Sequence, residues 1–427
     1  MSKNSLKAIG GMKLGILANR SKDKNIVDTV FTMVKKAKEA KKKYGAENVT
    51  DVTIGALCDE EGNFTIFDSV SRVYKNLNNI DIAPYAESFI GNSDFLKEMK
   101  SWVLGEHEKE FIVGGVATPG GSGSVSSTMK NILDQGETLL IPNIGWGPYK
   151  IMAKEHGLEV ETYELFNREN KFNLESFEKK SREIMEKQGK VLAIINDPCH
   201  NPTGYSMEVE EWEKVVKIMN DLSNEKEENN FVLLDDIAYI DYAVKGYKES
   251  RKYMSSFTKL SPKNLVVFSF SCSKSLTKYG LRVGGSVFIS TSQDNIDEYM
   301  RANEFTCRGV WSNVPKGGMK LFSKIQEDEL LRYNLEKERQ KYVELLTKRS
   351  RIFLEEAKEV NLETYPYKEG FFITLKVDNN KVKENIEKLN EANIYPIQVA
   401  HGIRVAICGS PSEKLVGLAK RIKDIIG

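Results

Sequence analysis

Seven short apolar runs alternate with helical patterns between about residues 111 and 290, and this alternation constrains the fold more than any other feature of the chain. The runs are Phe111 to Val113, Leu139 to Ile141, Leu158 to Tyr163, Val191 to Ile195, Phe231 to Leu234, Leu265 to Phe270 and Val283 to Ile289. Strands covered on both faces read as continuous hydrophobic runs, and strands separated by helices pair in parallel. The expected fold class is α/β, with a mainly parallel central sheet in a large domain. After Pro315 the pattern changes to a long helical run through Leu330, Leu331, Leu335, Tyr342, Leu345 and Leu346. A β-like segment, Gly370 to Val377, and a terminal helix after Pro411 follow it. The 427 residues suffice for roughly two to three folding units.

Open α/β sheets bind ligands just past the carboxyl ends of their strands, and four polar clusters fall at such ends. Lys274 closes the run Ser271-Cys272-Ser273-Lys274 after the strand Leu265 to Phe270. A primary amine there, flanked by small hydroxyl residues, is placed to form a Schiff base with an aldehyde cofactor, and Arg282 to hold that cofactor's phosphate. Thr118-Pro119-Gly120-Gly121-Ser122-Gly123 runs into a helical pattern with Val125, Met129, Ile132 and Leu133 on one face, so backbone N–H groups can cradle a phosphate. His200-Asn201-Pro202-Thr203-Gly204 follows Val191 to Ile195, and Asp236-Ile237-Ala238-Tyr239 follows Phe231 to Leu234.

Taken together and in this order, TPGGSG, Trp146, HNPTG, DIAY, SCSK with Arg282 eight residues on, and Arg404 in GIRVA make the chain resemble the fold-type I, class I aminotransferases that use pyridoxal 5′-phosphate. The aspartate and aromatic aminotransferase branch is the nearest likeness, from about Ile54 to Arg404. The resemblance implies that Lys274 carries the cofactor and then moves a proton at the substrate α-carbon. Asp236 would pair with the pyridine nitrogen, while the neighbouring Asp235 faces the other side of the strand end. Tyr239 and Asn201 would bond the cofactor's phenolic oxygen, Trp146 would stack on its ring, and Gly121, Ser122, Ser271 and Arg282 would hold its phosphate. Arg404 matches the arginine that grips the substrate α-carboxylate, and Ile54-Gly55-Ala56 resembles the lid over the substrate, which places Gly55 among the substrate contacts. Arg308 matches the arginine that reads a distal carboxylate and Tyr85 a tyrosine on the phosphate, both supplied by the neighbouring subunit of a homodimer with composite active sites. The aspartate enzymes usually place a histidine shortly after the tryptophan, as a partner of the pyridine aspartate; this chain has Tyr149 there, which bears on how Asp236 titrates.

The implied organisation is an N-terminal arm and part of a small domain over 1–63, a large cofactor-binding domain over 64–325, and a bridging helix with the rest of a smaller α+β domain over 326–427. The implied activity is transamination between aspartate or an aromatic amino acid and a 2-oxo acid such as 2-oxoglutarate, by a ping-pong cycle. A lyase or decarboxylase on the same scaffold is the alternative, because fold does not fix reaction. A ligand-sensing domain of a transcription regulator needs a DNA-binding unit, for which residues 1 to 50 are too short and lack a helix-turn-helix layout.

Composition narrows the partners. The 62 basic and 61 acidic residues leave a net charge of +1, which gives no electrostatic reason to expect nucleic acid or an anionic membrane. The lysines at 35, 36, 38, 41, 42 and 43 read as the solvated face of a helix whose apolar side carries Val27, Val30, Phe31 and Val34. No apolar run is long enough to span a bilayer, and Met12 to Ala18 is interrupted by Lys13 and lacks a signal-peptide layout, so the expected location is the cytoplasm. The five cysteines lack metal-type spacing and read as reduced, buried small residues, Cys272 included; no metal is expected. His200 reads as a satisfied buried histidine rather than a catalytic base.

Overall fold

The computed structural model describes residues 16–22, 24–26 and 29–427. Its strands, in chain order, are β1 Thr50–Asp51, β2 Ile112–Thr118, β3 Thr138–Pro142, β4 Glu159–Tyr163, β5 Lys190–Ile195, β6 Asn230–Asp236, β7 Asn264–Ser271, β8 Gly284–Ser290, β9 Phe372–Lys376, β10 Ile394–Tyr395, β11 Ile397–Val399 and β12 Gly402–Ala406. All seven apolar runs of residues 111–290 are strands of one sheet, ordered β2-β8-β7-β6-β5-β3-β4. The five from β7 to β4 pair in parallel, whereas β8 runs antiparallel to both β7 and β2. Two reversals restore direction, so β2 points the same way as β7. The carboxyl ends of β2, β3, β5, β6 and β7 and the amino end of β8 therefore share one edge.

Alternation along each strand feeds two cores. Val191, Ala193 and Ile195 of β5 join one hydrophobic cluster and Leu192 and Ile194 the other, as Leu233 and Leu234 do on β6. Helices cover both faces, which is why these strands are apolar throughout. The helix Gly120–Ile132 follows β2 directly and turns Val125 and Met129 into the second cluster.

Both ends of the chain meet in smaller sheets. β1 pairs in parallel with β10, and β11, β12 and β9 form an antiparallel trio. A 31-residue helix, Glu329–Glu359, is capped by Asp328, whose side chain accepts from the amides of Leu330 and Leu331, and packs on helices of both regions. The terminal helix is broken rather than continuous: Ser412–Leu415 and Leu418–Ile426 are separated at Gly417, whose φ of 72° suits glycine. The lysine-rich helix spans Thr29–Tyr44, but its buried side carries Met33, Ala37 and Ala40, and Phe31 is 75% exposed. The helical period sets residues four and seven apart beneath one another, so Phe31 cannot share the Met33 face. Lys41 leaves the solvated face to pair with Asp51 at 2.7 Å. Val27 and Met12 to Gly15 lie outside the described residues. Among the described residues no helix is long and apolar enough to cross a membrane. Cys199, Cys272, Cys307 and Cys408 are buried and none of the five cysteines is bridged.

Glu60 ties the N-terminal stretch to the long helix and the last turn. It accepts from the Ser412 amide at 2.8 Å and hydroxyl at 2.6 Å, and pairs with Lys348 at 2.9 Å and Arg349 at 3.1 Å. Burial pushes its carboxyl up, but these partners outweigh it and hold the group at about 2. Because the folded value is depressed, the stabilisation is present above the unfolded value of about 4.3 and fades as pH falls through about 2. Glu60→Gln is expected to cost about 1 kcal/mol near neutral pH, the partial exposure screening the rest. Denaturant melts should show the gap from wild type closing below about pH 4; a gap constant down to pH 2 would refute the assignment.

Candidate active site

The shared sheet edge gathers the polar ends. A cleft enclosing about 690 Å³, part of it open to solvent, is lined by Gly121 and Ser122 after β2, Trp146 after β3, Asn196 and Asn201 after β5, Asp236, Ala238 and Tyr239 at and past the end of β6, Ser271 at the end of β7 with Ser273, Lys274 and Tyr279 beyond it, and Arg282 before β8. Register explains the floor. Ile195 lies opposite Asp235 and Asp236 opposite Ser269, so Asn196 comes beside Asp236 and its side-chain amide donates to the Asp236 carbonyl. The Asp235 and Asp236 side chains diverge, as strand alternation requires: Asp235 takes a bond from the Tyr253 hydroxyl at 2.6 Å on the far face, and Asp236 opens on the cleft.

Asp236 is buried, and burial raises its carboxyl above the ordinary range. Three groups oppose that rise: the Tyr149 hydroxyl, which donates to Oδ2 at 2.6 Å, the nearby Lys274 charge, and the Ala238 amide, which donates to Oδ1 at 3.2 Å. Lys274 Nζ sits 5.0 Å from the Tyr239 ring centroid. Burial lowers its ammonium below the ordinary lysine value, Asp236 works against that, and Arg282 adds to it. A lysine so depressed holds more of its amine in the nucleophilic neutral form.

Another part of the cleft is built for an anion. The helix Gly120–Ile132 begins without a side-chain cap, so its first N–H groups face the cleft. Gly120 has φ of 71°, and a Cβ there would lie 2.7 Å from Arg282 Nη2; only glycine lets the guanidinium close over the helix start. Arg282 donates to the Tyr279 carbonyl at 3.1 Å and to Ser273 Oγ at 3.4 Å, and among the described residues no carboxylate pairs with it. An uncapped helix start beside an uncompensated arginine, in the same cleft as a recessed lysine and a buried carboxylate, fits the chemistry of a phosphorylated pyridine aldehyde.

Arg404 sits behind this floor. It is buried, donates to the Thr53 carbonyl at 2.8 Å and to Asn201 Oδ1 at 3.4 Å, stacks 4.4 Å from the Phe372 ring, and leaves Nε without a partner. Gly55 adjoins the same ring, where an added Cβ would meet Phe372 at 2.7 Å. Asn201 also reaches the Tyr239 hydroxyl at 3.4 Å. Tyr85 and Arg308 are not brought into this cleft: Tyr85 is 86% exposed, and Arg308 is exposed, donating to Ser312 Oγ at 2.7 Å and lying 4.9 Å from the Phe89 ring. His200 is buried, bonds Thr203 through Nδ1 at 2.8 Å, and burial alone holds it at about 3, so it is neutral. Burial pushes the Cys272 thiol up, leaving it inert.

Sequence reasoning passed over Asn196, Ser273 and Tyr279 as lining residues; for Tyr149 the resemblance implied only that it stands where the family has a histidine partner of the pyridine aspartate. Asn196 had a readable signal, the first polar residue after an apolar strand. Tyr279 lies three residues before Arg282; its hydroxyl accepts from the Leu57 amide at 3.2 Å and so ties the cleft wall to the segment after Gly55.

Comparison with known proteins gives one family. Residues 47–422 match the model for aminotransferase class I and II. An aminotransferase from Anaerococcus prevotii has a crystal structure similar to this chain at TM-score 0.93 and 31% identity, covering 97% of this chain and 100% of that one. The mitochondrial aspartate aminotransferase of Dictyostelium discoideum is 24% identical over 283 residues, 65% of this chain and 64% of its own length, so the matched region spans just under two thirds of that relative. The aromatic-amino-acid aminotransferase of Burkholderia pseudomallei, solved covalently bound to pyridoxal phosphate, is similar in fold at TM-score 0.77 and 18% identity, over 96% of this chain and 100% of that one.

Proposed function

The chain belongs to the class I and II aminotransferases, and from that premise we propose that it transfers the amino group of aspartate or an aromatic L-amino acid to a 2-oxo acid such as 2-oxoglutarate, in two half-reactions of a ping-pong cycle. Its cofactor is pyridoxal 5′-phosphate. One observation carries the reading: Lys274 and Asp236 line a single cleft together with Arg282 and the start of the helix Gly120–Ile132. When bound, the cofactor supplies an electrophilic carbonyl and a ring that accepts electron density.

The residues do the rest. Lys274 would hold the cofactor through Nζ, and its amine, once free, is placed to take the proton from the substrate α-carbon and to give it back at a neighbouring atom. Asp236 would pair with the ring nitrogen and favour its protonated form. Asn201 and Tyr239 would bond the phenolic oxygen, Trp146 would cover the ring, and Gly121, Ser122, Ser271 and Arg282 would hold the phosphate. Arg404 fixes the α-carboxylate, which aims the Cα–H bond, rather than the carboxylate bond, for cleavage. Gly55 lets the lid segment lie against Phe372. We place the cofactor-binding unit at 64–325 and the smaller unit at 1–63 with 326–427.

The exposure of Tyr85 and Arg308 supports a homodimer in which each reaches the partner's cleft. Borohydride treatment of the holoenzyme should fix the cofactor on Lys274, and a label mapped to another lysine would refute the site. Amino-donor panels with 2-oxoglutarate should yield glutamate; release of ammonia, pyruvate or carbon dioxide instead would point to a lyase or decarboxylase. Mixing Lys274→Ala with Arg308→Ala subunits should restore about a quarter of the sites, since about half of the dimers are mixed and one site in each is intact. Full activity in a monomer would overturn the composite site.

A further inference from the structure

We propose that Arg339, on the long helix Glu329–Glu359, is a positioning residue for Lys274. Its guanidinium holds the backbone carbonyl next to the lysine and so fixes the turn that presents Nζ to the cleft; this rests on the reading of Lys274 given above. Lys274 stands in the single helical turn Cys272–Ser275. One turn does not sustain itself, because fixing its backbone angles returns too few hydrogen bonds, so its shape has to be imposed from outside. Two side chains impose it. The Tyr242 hydroxyl donates to the Lys274 carbonyl at 3.0 Å, and Arg339 Nη2 donates to the Ser275 carbonyl at 2.8 Å, 64 residues away in sequence. Consecutive carbonyls are thus pinned by donors from two separate elements, one after β6 and one on the helix that packs on both regions.

The guanidinium is itself held in a closed network. Arg339 is 2% exposed, with Nη1 paired to Glu336 on its own helix and its central carbon 5.4 Å from the Trp102 ring centroid. Asp241, one residue before Tyr242, pairs through Oδ1 with Arg251 at 2.9 Å and accepts at Oδ2 from the Trp102 indole N–H at 3.2 Å. Burial pushes the Asp241 carboxyl up, but the nearby charges of Arg339 and Arg251 outweigh it and hold the group below the ordinary range. It therefore stays ionised and compensates the buried cations. Such a cluster is a costly way to stabilise a fold, since well-packed apolar side chains of the same volume often do as well or better. What it gives that apolar packing cannot is a fixed, charge-assisted donor at one carbonyl oxygen, here beside the residue that has to meet the cofactor. An amine set in place bonds an aldehyde at a high effective concentration, and a turn free to shift gives up part of that advantage.

The test is the dissociation constant of pyridoxal phosphate, measured on the full chain as a double-mutant cycle with Lys274→Ala. In the wild-type background Arg339→Met, which keeps the bulk and removes the donor, should raise the constant about tenfold or more, since displacements of about 1 Å suffice for losses of that order. In the Lys274→Ala background the same change should move it by less than about threefold, because the lysine through which Arg339 acts is gone. Arg339→Lys keeps the charge beside Asp241 but not the planar fork, and its constant should lie between those of wild type and Arg339→Met. Equal effects of Arg339→Met in the two backgrounds, as general damage to the fold would give, overturn the proposal, and so does a constant unchanged in both. If Arg339→Met does not fold, Arg339→Lys decides: a constant equal to wild type in the wild-type background overturns it. A Lys274→Ala protein that binds the cofactor as tightly as wild type and still takes the borohydride label would instead remove the reading of Lys274 itself.

Discussion

Replacing Lys274 by Ala is expected to lower kcat by about 10⁴, the upper range for removing a positioned general acid–base. Lys274 is the lysine that lines the cleft, and its amine is held below the ordinary lysine value chiefly by burial. Lys274→Arg sharpens the result. Arginine keeps the positive charge near Asp236, yet it stays protonated at any working pH and cannot take a proton from carbon. If Lys274 acted only as a charge, the Arg variant would recover most of the activity; as a base, it should be as inactive as Ala. Single-turnover measurements with enzyme in excess over substrate separate the proton-transfer step from release. A Lys274→Arg enzyme within tenfold of wild type would exclude the proposed role.

What could be read along the chain and what could not divides on physical lines. The strands of the large sheet were legible because strands buried on both faces leave unbroken runs such as Val191 to Ile195 and Leu265 to Phe270. Their polar ends were not, since Asn230, Asp235 and Asp236 belong to β6 through backbone pairing that side-chain polarity conceals. The local clusters around Gly121, Asn201, Asp236 and Lys274 were legible because each sits within a few residues of a strand end. The Tyr149–Asp236 bond was reachable only through the resemblance, which sets a partner of the pyridine aspartate at this position; the local pattern does not encode it, because it depends on β3 and β6 being two places apart in the sheet. Phe31 misled for another reason: residues at the exposed start of a helix need not follow its apolar stripe, and here Met33, Ala37 and Ala40 define the packed side.

Changing Arg308 to Gln is expected to cost selectively with dicarboxylic substrates. Arg308 ends the helix Gln293–Val310 and reaches only the Ser312 hydroxyl and the Phe89 ring face; among the described residues no carboxylate pairs with it. An exposed guanidinium is worth little to a carboxylate in water, because solvent screens the pair. In a closed cleft formed with the partner subunit the same fork would be desolvated and bidentate, and losing one member then costs about 2 to 5 kcal/mol. That corresponds to a fall in kcat/KM for aspartate between about 30-fold and a few thousand-fold. Phenylalanine has no distal charge for the arginine to meet, so its kcat/KM should change by less than about threefold, or rise where removing the guanidinium spares the cost of burying it unpaired. The ratio of the two efficiencies is therefore the decisive quantity, since general damage to the fold or to dimerisation lowers both alike. An equal loss for aspartate and phenylalanine, or no loss for either, would show that Arg308 does not touch the distal group of the substrate.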